Sequence, residues 1–333
     1  MTDTLLDSYS ETNADQGFVS LSNWNAVYSA VGQSFKTPND GISYILTIAK
    51  FLLAKSAGAT GNIRVDIYAH TGVFGTSSLP TGGILASSDD VDASTLNLTT
   101  PALYTFTFSG ANQITLTPNT SYCIMVKGIT LADGTVNMPY DNSVPTHQGN
   151  RFYWVGAWDY TTKDMPFYVY GEPIQFTLTI TATDNVTTSP TEGAHDYIMN
   201  TDVPVTATVD AHYYLSDWLL DSVSQGVTTN PFTVTMDADH ELTPVISLQK
   251  VLTITCGSGG TLDKATGYYN TGTPVTVTAT AAERHHFFKW TLDGLPKGYI
   301  SPIIVTMNTD HSLTAQFQKL SSLFQDIIRQ VER

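Results

Sequence analysis

One stretch of the sequence, residues 140–160, carries the kinds of side chain that proteins use to hold sugars. Aromatic rings stack on the C–H faces of a sugar ring, and polar groups beside them bond its hydroxyls. We therefore predict contact with a glycan at the rim of a β domain. The candidate residues are Tyr140, Asn142, Arg151, Tyr153, Trp154, Trp158 and Tyr160. The alternative is that Phe152 and Trp154, which alternate along a strand, fill a hydrophobic core.

A second candidate for chemistry is a short acidic run in a serine-rich loop, formed by Asp89, Asp90 and Asp92. Carboxylate oxygens are the ligands that calcium prefers, so this run predicts a calcium site. The run lacks the glycine and the spacing of an EF-hand loop, and the alternative is a solvated acidic turn. Calcium is the only cofactor that the sequence suggests.

The sequence carries no recognisable catalytic motif. It has no Gly-x-Ser-x-Gly, no His-Glu-x-x-His and no phosphate-binding glycine loop. His285 and His286 are adjacent, so on a strand they face opposite ways and cannot easily bind one metal ion. His240 and His311 recur at one position of a repeat, which favours a duplicated structural contact such as a turn hydrogen bond. We predict that the protein is not an enzyme.

Charge and hydropathy exclude several classes of partner. Among 333 residues only 14% are charged, and the net charge is −15. A nucleic-acid binder needs a basic face, and an anionic membrane attracts basic segments, so neither partner is expected. The longest apolar run, residues 42–54, is too short and too polar to span a bilayer. Cys123 and Cys256 lie 133 positions apart in different predicted domains, so we expect no disulfide.

These candidates must be positioned by β-strands. Residues 1–30 are predicted as an arm or a first strand. From 31 to 175, short alternating segments separated by turn residues predict a β-sandwich or barrel. Residues 62–69 show the pattern most clearly, with Ile63, Val65 and Ile67 on one face and polar residues on the other.

The second half of the chain contains an internal repeat. Leu178-Thr-Ile-Thr recurs at Leu252, and Trp218 recurs as Trp290. Further markers return at offsets of 70–74 positions in the same order, which indicates a duplication. We predict two β modules, at 176–248 and 249–318.

The tail, residues 319–333, changes to a helical period. Its apolar stripe, which predicts an amphipathic helix with an oligomer seam, consists of Leu320, Phe324, Ile327 and Val331. A helix of this length is marginal by itself in water, so it must pack on its own protein or on copies of itself. We predict a homo-oligomer, such as a trimer.

The repeat unit resembles the bacterial repeat of internalin-type B-repeat surface proteins. The second copy carries the residues of that resemblance, which are Gly267-Tyr268, Pro274-Val275, Phe287–Trp290, Asp293-Gly294, Met307, Asp310-His311 and Leu313–Phe317. The first copy departs from the pattern at Asp221-Ser222 and at Leu242-Thr-Pro-Val-Ile. The resemblance implies β-grasp or immunoglobulin-like spacer modules, and extension and adhesion rather than catalysis.

Residues 31–175 resemble, more loosely, the jelly-roll modules of phage structural proteins and surface proteins. The matching segments are Gln33-Ser-Phe35, Lys55 to Tyr68, Pro80 to Ser87 and Leu116 to Cys123. This resemblance implies a carbohydrate-binding jelly roll. The predicted fold class is therefore all-β: an N-terminal jelly-roll sandwich, two tandem β modules and a short C-terminal helix.

Together these features predict a non-enzymatic structural or attachment protein on a virion surface, such as a phage decoration protein, fibre or spike. The N-terminus shows no basic or apolar segment of a secretory signal, which favours a protein that leaves with a particle. Its expected partners are other virion proteins and a host-surface glycan. The alternative is a cellular adhesin or S-layer-associated protein at the cell surface. A third possible function is that of a carbohydrate-active enzyme with accessory modules. Such an enzyme would need two carboxylates that face each other across a cleft.

Overall fold

The computed structural model describes residues 3–15, 17–22, 29–143, 145–181 and 183–320. These residues form strands joined by turns and three short 3-10 helices, at Glu11–Asn13, Ala93–Thr95 and Gly110–Asn112. The prediction of an all-β protein is confirmed for this part of the chain. Within the same residues, no helix is long and apolar enough to cross a membrane.

The described residues of the N-terminal half form fourteen strands. They are β1 (Thr4–Tyr9), β2 (Gly17–Leu21), β3 (Ala30–Lys36), β4 (Tyr44–Lys55), β5 (Asn62–Thr71), β6 (Leu79–Ser87), β7 (Val91–Asp92), β8 (Ala102–Thr107), β9 (Thr115–Leu116), β10 (Ser121–Gly128), β11 (Val136–Tyr140), β12 (Arg151–Trp154), β13 (Trp158–Thr161) and β14 (Phe167–Pro173). The first thirty residues therefore supply two paired strands, because β1 pairs with β14 and β2 pairs with β11.

These strands form two seven-stranded sheets. Sheet I has the order β1-β14-β4-β11-β2, with β8 and β9 also paired to β4. Sheet II has the order β13-β12-β3-β10-β5-β6, with β7 also paired to β5. Buried side chains from both sheets, among them Phe51 and Phe167 of sheet I and Phe35 and Ile124 of sheet II, share one hydrophobic core. Each sheet thus has an inner face on this core and an outer face.

Strand β5 shows how the sequence pattern becomes a half-buried strand. Ile63, Val65 and Ile67 are fully buried in the core, as their alternation predicts. Asp66, on the opposite face, is also fully buried. Its carboxylate accepts hydrogen bonds from Arg64 at 2.8 Å and from the Ser87 hydroxyl at 2.7 Å. A buried carboxylate needs such partners, because burial without them is costly.

By its contacts the chain divides into two compact units. The first consists of 1–177 with 196–201 and 235–238, and the second holds the remaining residues. Further along the chain the strands are β15 (Gln175–Ile180), β16 (Val186–Ser189), β17 (Gly193–Ile198), β18 (Asp202–Val209), β19 (Tyr213–Leu220), β20 (Val223–Ser224), β21 (Phe232–Thr235), β22 (His240–Leu248), β23 (Lys250–Cys256), β24 (Gly260–Leu262), β25 (Gly267–Tyr269), β26 (Pro274–Val277), β27 (Ala279–Ala281), β28 (His285–Leu292), β29 (Leu295–Gly298), β30 (Ile303–Thr306) and β31 (His311–Lys319).

The two repeat modules have matching sheets. Their strand orders are β17-β15-β22-β19-β20 and β25-β23-β31-β28-β29, and each contains one parallel pair. In each module a fully buried tryptophan donates its indole N–H to a backbone carbonyl. Trp218 bonds Thr229 at 3.0 Å, and Trp290 bonds Ile300 at 3.1 Å. The duplicated sequence markers therefore correspond to duplicated contacts.

One departure from the repeat pattern has a visible effect on pairing. The parallel ladder runs from Leu252 to Cys256 in the second module but only from Leu178 to Ile180 in the first. Pro244 stands in β22 where the second module has Ala315. Proline has no N–H to donate, so the first ladder ends earlier.

The predicted C-terminal helix lies outside the described residues, apart from its first two positions. Lys319 ends strand β31, and the backbone N–H of Leu320 donates to the carbonyl of Arg284 at 2.8 Å. The other predicted seam residues, Phe324, Ile327 and Val331, are not among the described residues.

Candidate functional site

The hairpin of β12 and β13 sorts the predicted glycan residues onto two faces. Trp154 pairs directly with Trp158, and Phe152 pairs with Tyr160, so these four aromatic residues share the outer face of sheet II. Arg151 and Tyr153 alternate with them and face the other way. Phe152 is fully buried, but Trp154 is 36% exposed and Tyr160 is 43% exposed. The core-filling interpretation therefore fits Phe152 and not Trp154.

The neighbouring strand β3 makes room beside this hairpin. Its outward residues are the small Ala30, Gly32 and Ser34, which alternate with core residues. Phe152 lies over Gly32, where an added Cβ would come within 2.7 Å of the phenylalanine ring. Ala30 separates Trp154 on β12 from Lys127 on β10, because it pairs with both. The small side chain of Ala30 leaves a depression between Trp154 on one side and Lys127 on the other.

This depression is a cleft of about 320 Å³, here called the tryptophan cleft. Its lining consists of Ser29, Ala30, Tyr68, Gly82, Met125, Lys127, Trp154 and Trp158. Trp158 is held by edge-to-face contacts, with ring centroids 5.0 Å from Trp154, 5.7 Å from Phe152 and 6.4 Å from Tyr68. The packed Trp158 ring braces Trp154, whose exposed surface borders the cleft.

Several polar groups of the cleft are available to a ligand, among them those of Lys127 and Tyr68. Within the described residues, neither the Lys127 ammonium nor the Tyr68 hydroxyl has a hydrogen-bond or ion-pair partner. Burial, with a smaller contribution from the Asp66 carboxylate, raises the pKa of Tyr68 above its ordinary value. Sequence reasoning missed Lys127 and Tyr68, which come from other strands of the sheet.

The remaining predicted glycan residues lie elsewhere. Arg151 is 5% exposed and its guanidinium lies 4.3 Å from the centre of the Tyr140 ring. Tyr153 packs against the sandwich core and donates its hydroxyl to Asp159 at 2.8 Å. Asn142 is exposed in the loop after β11. The structure therefore brings Trp154 and Trp158 together at the cleft, with Tyr160 nearby, and places the other four outside it.

The three acidic residues predicted to hold calcium are engaged separately. Asp89 accepts a hydrogen bond from Ser109 at 3.0 Å, and Asp90 accepts one from Asn62 at 3.1 Å. Asp92 caps a 3-10 helix by accepting the Ser94 N–H at 2.8 Å, which lowers the pKa of its carboxyl. In the part of the chain that the structure describes, no group of three or more acidic, histidine or cysteine side chains could hold a metal ion.

A buried polar network, which the sequence did not reveal, lies at one end of the sandwich. The Gln33 side chain donates to Asp164 at 2.8 Å, and the His147 backbone N–H donates to the same carboxylate at 2.9 Å. The His147 ring also lies 3.1 Å from Asp7 on β1. Asp164 is 1% exposed, and burial raises the pKa of its carboxyl despite these donors. The network ties β1 and β3 to His147 and Asp164.

The recurring histidines form a duplicated turn clamp. In the first module Asp221 accepts the Glu241 N–H at 2.9 Å and contacts His240 at 2.7 Å. In the second, Asp293 accepts the Ser312 N–H at 2.8 Å and contacts His311 at 2.7 Å. The predicted duplicated turn contact is therefore present in both modules. These hydrogen bonds lower the pKa values of Asp221 and Asp293.

The two cysteines are free thiols in different surroundings. Cys123 is fully buried on the outer side of β10, against Phe152 and Met125, and burial raises the pKa of its thiol well above the usual range. Cys256 is exposed at the end of β23. The two thiols therefore differ in their access to solvent.

Comparison with known proteins identifies the repeat modules. Residues 176–245 and 250–321 each match the family model of a divergent InlB B-repeat domain. The predicted tandem repeat of this type is confirmed. No curated protein matches the chain.

Among solved structures, the chain aligns with the major pilin protein (T-13) from Streptococcus pyogenes at 11% identity. The alignment covers 85% of this chain and 100% of the pilin, with a TM-score of 0.14. At that score the two backbones superpose too poorly for their folds to be compared.

Proposed function

We propose that this protein is a non-enzymatic surface protein that binds carbohydrate through the tryptophan cleft. The observation that carries the proposal is the partly exposed Trp154, braced by Trp158 and bordered by polar groups that have no partner among the described residues. An indole face provides a flat apolar platform for sugar C–H groups, and the polar neighbours orient the ring. The cleft volume lies at the lower end of the roughly 300–1,000 Å³ that small-ligand sites occupy.

The lining of the cleft favours binding over hydrolysis. Glycoside hydrolysis uses two carboxyl groups that flank the scissile bond. None of the described residues that line the cleft carries a carboxylate. The nearest acidic residue on this face of β5, Asp66, is fully buried and bonded to Arg64 and Ser87. A sugar seated on Trp154 would therefore meet no acid–base pair in the cleft lining.

The repeat modules support a role at a surface. Their match to the InlB B-repeat domain favours spacers that hold the binding domain away from its anchoring point. This supports the adhesin alternative at a cell surface more than the virion interpretation, which stays a prediction with its virion partners. The jelly-roll connectivity of the sandwich, the β-grasp or immunoglobulin-like nature of the modules and the trimeric seam are also part of the proposal.

Carbohydrate binding is tested with the full chain and two matched variants. Affinity electrophoresis through gels that contain a panel of plant, bacterial and animal polysaccharides finds a ligand, and calorimetry with its oligosaccharide gives the affinity. Trp154→Ala removes the platform, and we expect affinity to fall by about tenfold or more, as for a central aromatic contact. Tyr160→Ala is the control, because Tyr160 is a similarly exposed aromatic residue of the same hairpin that does not line the cleft.

The controls make the result unambiguous. Equal loss of affinity in both variants would mean that the hairpin, and not the cleft, supports binding. Binding that survives Trp154→Ala would overturn the proposed site. Release of reducing sugar by the wild-type chain, abolished by a single carboxylate substitution, would overturn the non-enzymatic assignment.

A further inference from the structure

The polar groups of the tryptophan cleft point to the class of sugar that it takes. We infer that the cleft selects an acidic saccharide, whose carboxylate pairs with Lys127 while the sugar ring lies against Trp154. This inference rests on the proposed function and specifies its ligand.

The sheet register places the platform and the cation in one row. Trp154 pairs with Ala30, and Ala30 pairs in turn with Lys127 on the next strand. Adjacent strands lie about 4.8 Å apart, so the backbones of β12 and β10 are separated by about 10 Å. The residue of β3 between them on this face is Ala30, whose side chain is a single methyl group. The space between the indole and the lysine is therefore suited to one sugar ring with a charged substituent.

The charge of Lys127 is not compensated within the described protein. Its cross-strand neighbour, Arg64, forms an ion pair with the buried Asp66 at 2.8 Å. The Lys127 ammonium has no such partner among the described residues, and the cleft lining contains no carboxylate. Arg64 is thus paired within its own sheet, whereas the Lys127 ammonium beside the aromatic platform has no counter-ion among the described residues.

The inventory of donors and acceptors also favours an anion. The indole N–H groups of Trp154 and Trp158 and the Lys127 ammonium can only donate hydrogen bonds, whereas the Tyr68 and Ser29 hydroxyls can donate or accept. A neutral sugar presents hydroxyls, each of which is best satisfied by both a donor and an acceptor. A carboxylate only accepts, so it is a better match for a cleft rich in donors.

The overall charge of the protein opposes an anionic ligand only at long range. The net charge of −15 repels an approaching acidic sugar. At physiological ionic strength such repulsion is screened beyond about 8 Å, whereas a contact with Lys127 acts at hydrogen-bond distance. The local pairing therefore dominates once the sugar lies in the cleft.

The test compares acidic sugars with neutral counterparts of the same shape. Trigalacturonate, a hyaluronan tetrasaccharide and sialyllactose are each titrated into the full chain beside their methyl esters. We expect at least one acid to bind about tenfold more tightly than its ester, as a charge-assisted hydrogen bond predicts. Lys127→Met keeps the aliphatic stem and should remove this preference. Lys50→Met is the control, because Lys50 lies over the Tyr170 ring of sheet I.

The outcomes distinguish failure of the acidic preference from failure of carbohydrate binding. Equal binding of acid and ester, with both lost in Trp154→Ala, would overturn the acidic preference and leave carbohydrate binding in place. A preference that survives Lys127→Met would overturn the role of Lys127. Failure of every acid and ester, and of the wider polysaccharide panel, would overturn both. A preference that disappears only in Lys127→Met and weakens with added salt would support the inference.

Discussion

The turn clamp of the second repeat predicts a measurable loss of stability when Asp293 is replaced. Asp293 accepts the Ser312 N–H at 2.8 Å and contacts the His311 ring at 2.7 Å. A hydrogen bond of this kind contributes about 0.5–1.5 kcal/mol net to stability. Because the Asp293–His311 pair is partly exposed, we take about 1 kcal/mol or less for it. Asp293 also has φ of +53°, a conformation that alanine adopts with strain. We expect Asp293→Ala to cost about 2 kcal/mol and Asp293→Asn about 1 kcal/mol.

The loss should depend on pH with a definite sign. The hydrogen bonds lower the pKa of Asp293, so its folded pKa lies below the unfolded value near 4. Its stabilising contribution is therefore complete above pH 4 and is lost as the pH falls through the folded pKa. The free energy of unfolding of wild type and Asp293→Ala should differ most at pH 6. The difference should shrink between pH 4 and pH 2.

Native-state amide hydrogen exchange measures this loss locally. A change of 1–2 kcal/mol corresponds to roughly 5–30-fold faster exchange of protected amides in the second module. Amides of the first module, including Glu241 beside Asp221, serve as the reference within the same molecule. Unchanged protection of Ser312, or a difference that is equally large at pH 6 and pH 3, would refute the assigned role of the clamp.

Three further predictions follow from the packing and the sequence. Trp290→Phe should lower the free energy of unfolding, measured in urea titrations, by about 2–3 kcal/mol. The substitution leaves a cavity in the core of the second module, and the Ile300 carbonyl loses the indole N–H that it accepts. An unchanged urea midpoint would contradict this prediction. A thiol reagent should label one cysteine per native chain, the exposed Cys256, and both after unfolding, because Cys123 is buried; mass spectrometry of digested protein distinguishes the two. Light scattering should give a trimer for the full chain and a monomer after truncation following Leu320, and a monomer in both cases would contradict the predicted seam.

Local sequence patterns predicted the strands and the repeat well. The alternation of Ile63, Val65 and Ile67 gave the correct buried face of β5. The recurring tryptophans, Trp218 and Trp290, occupy equivalent buried positions with equivalent hydrogen bonds. Such features are set by neighbours in sequence or by duplication, and both are visible in a single chain.

The candidate site was predicted only in part, because its walls come from distant segments. Trp154 and Trp158 are brought together by one hairpin, so their proximity follows from the local pattern. Lys127 and Tyr68 reach the cleft through pairings of β10 and β5, which no local pattern specifies. The sequence of β3 did contain one indication of a cleft. Its outward residues, Ala30, Gly32 and Ser34, are all small, which leaves space on that face of the sheet.

Two of the predicted glycan residues, Arg151 and Tyr153, lie away from the tryptophan cleft because side chains alternate along a strand. Arg151 and Tyr153 interleave with Phe152 and Trp154, so they cannot share a face with them. The burial of Arg151 against Tyr140 depends on the approach of sheet I, which is a tertiary contact. Residues that are neighbours in the sequence of β12 therefore lie on opposite faces of the sheet.

The central claim, that the tryptophan cleft binds sugar, is tested most directly by the indole N–H signals of the full chain in nuclear magnetic resonance. Trp218 and Trp290 are fully buried and bonded to backbone carbonyls, so they are internal controls. During titration with an oligosaccharide that the gels retain, we predict that the Trp154 and Trp158 signals shift with saturation while the control signals stay fixed. A bound oligosaccharide that leaves the Trp154 and Trp158 signals unmoved would contradict the account.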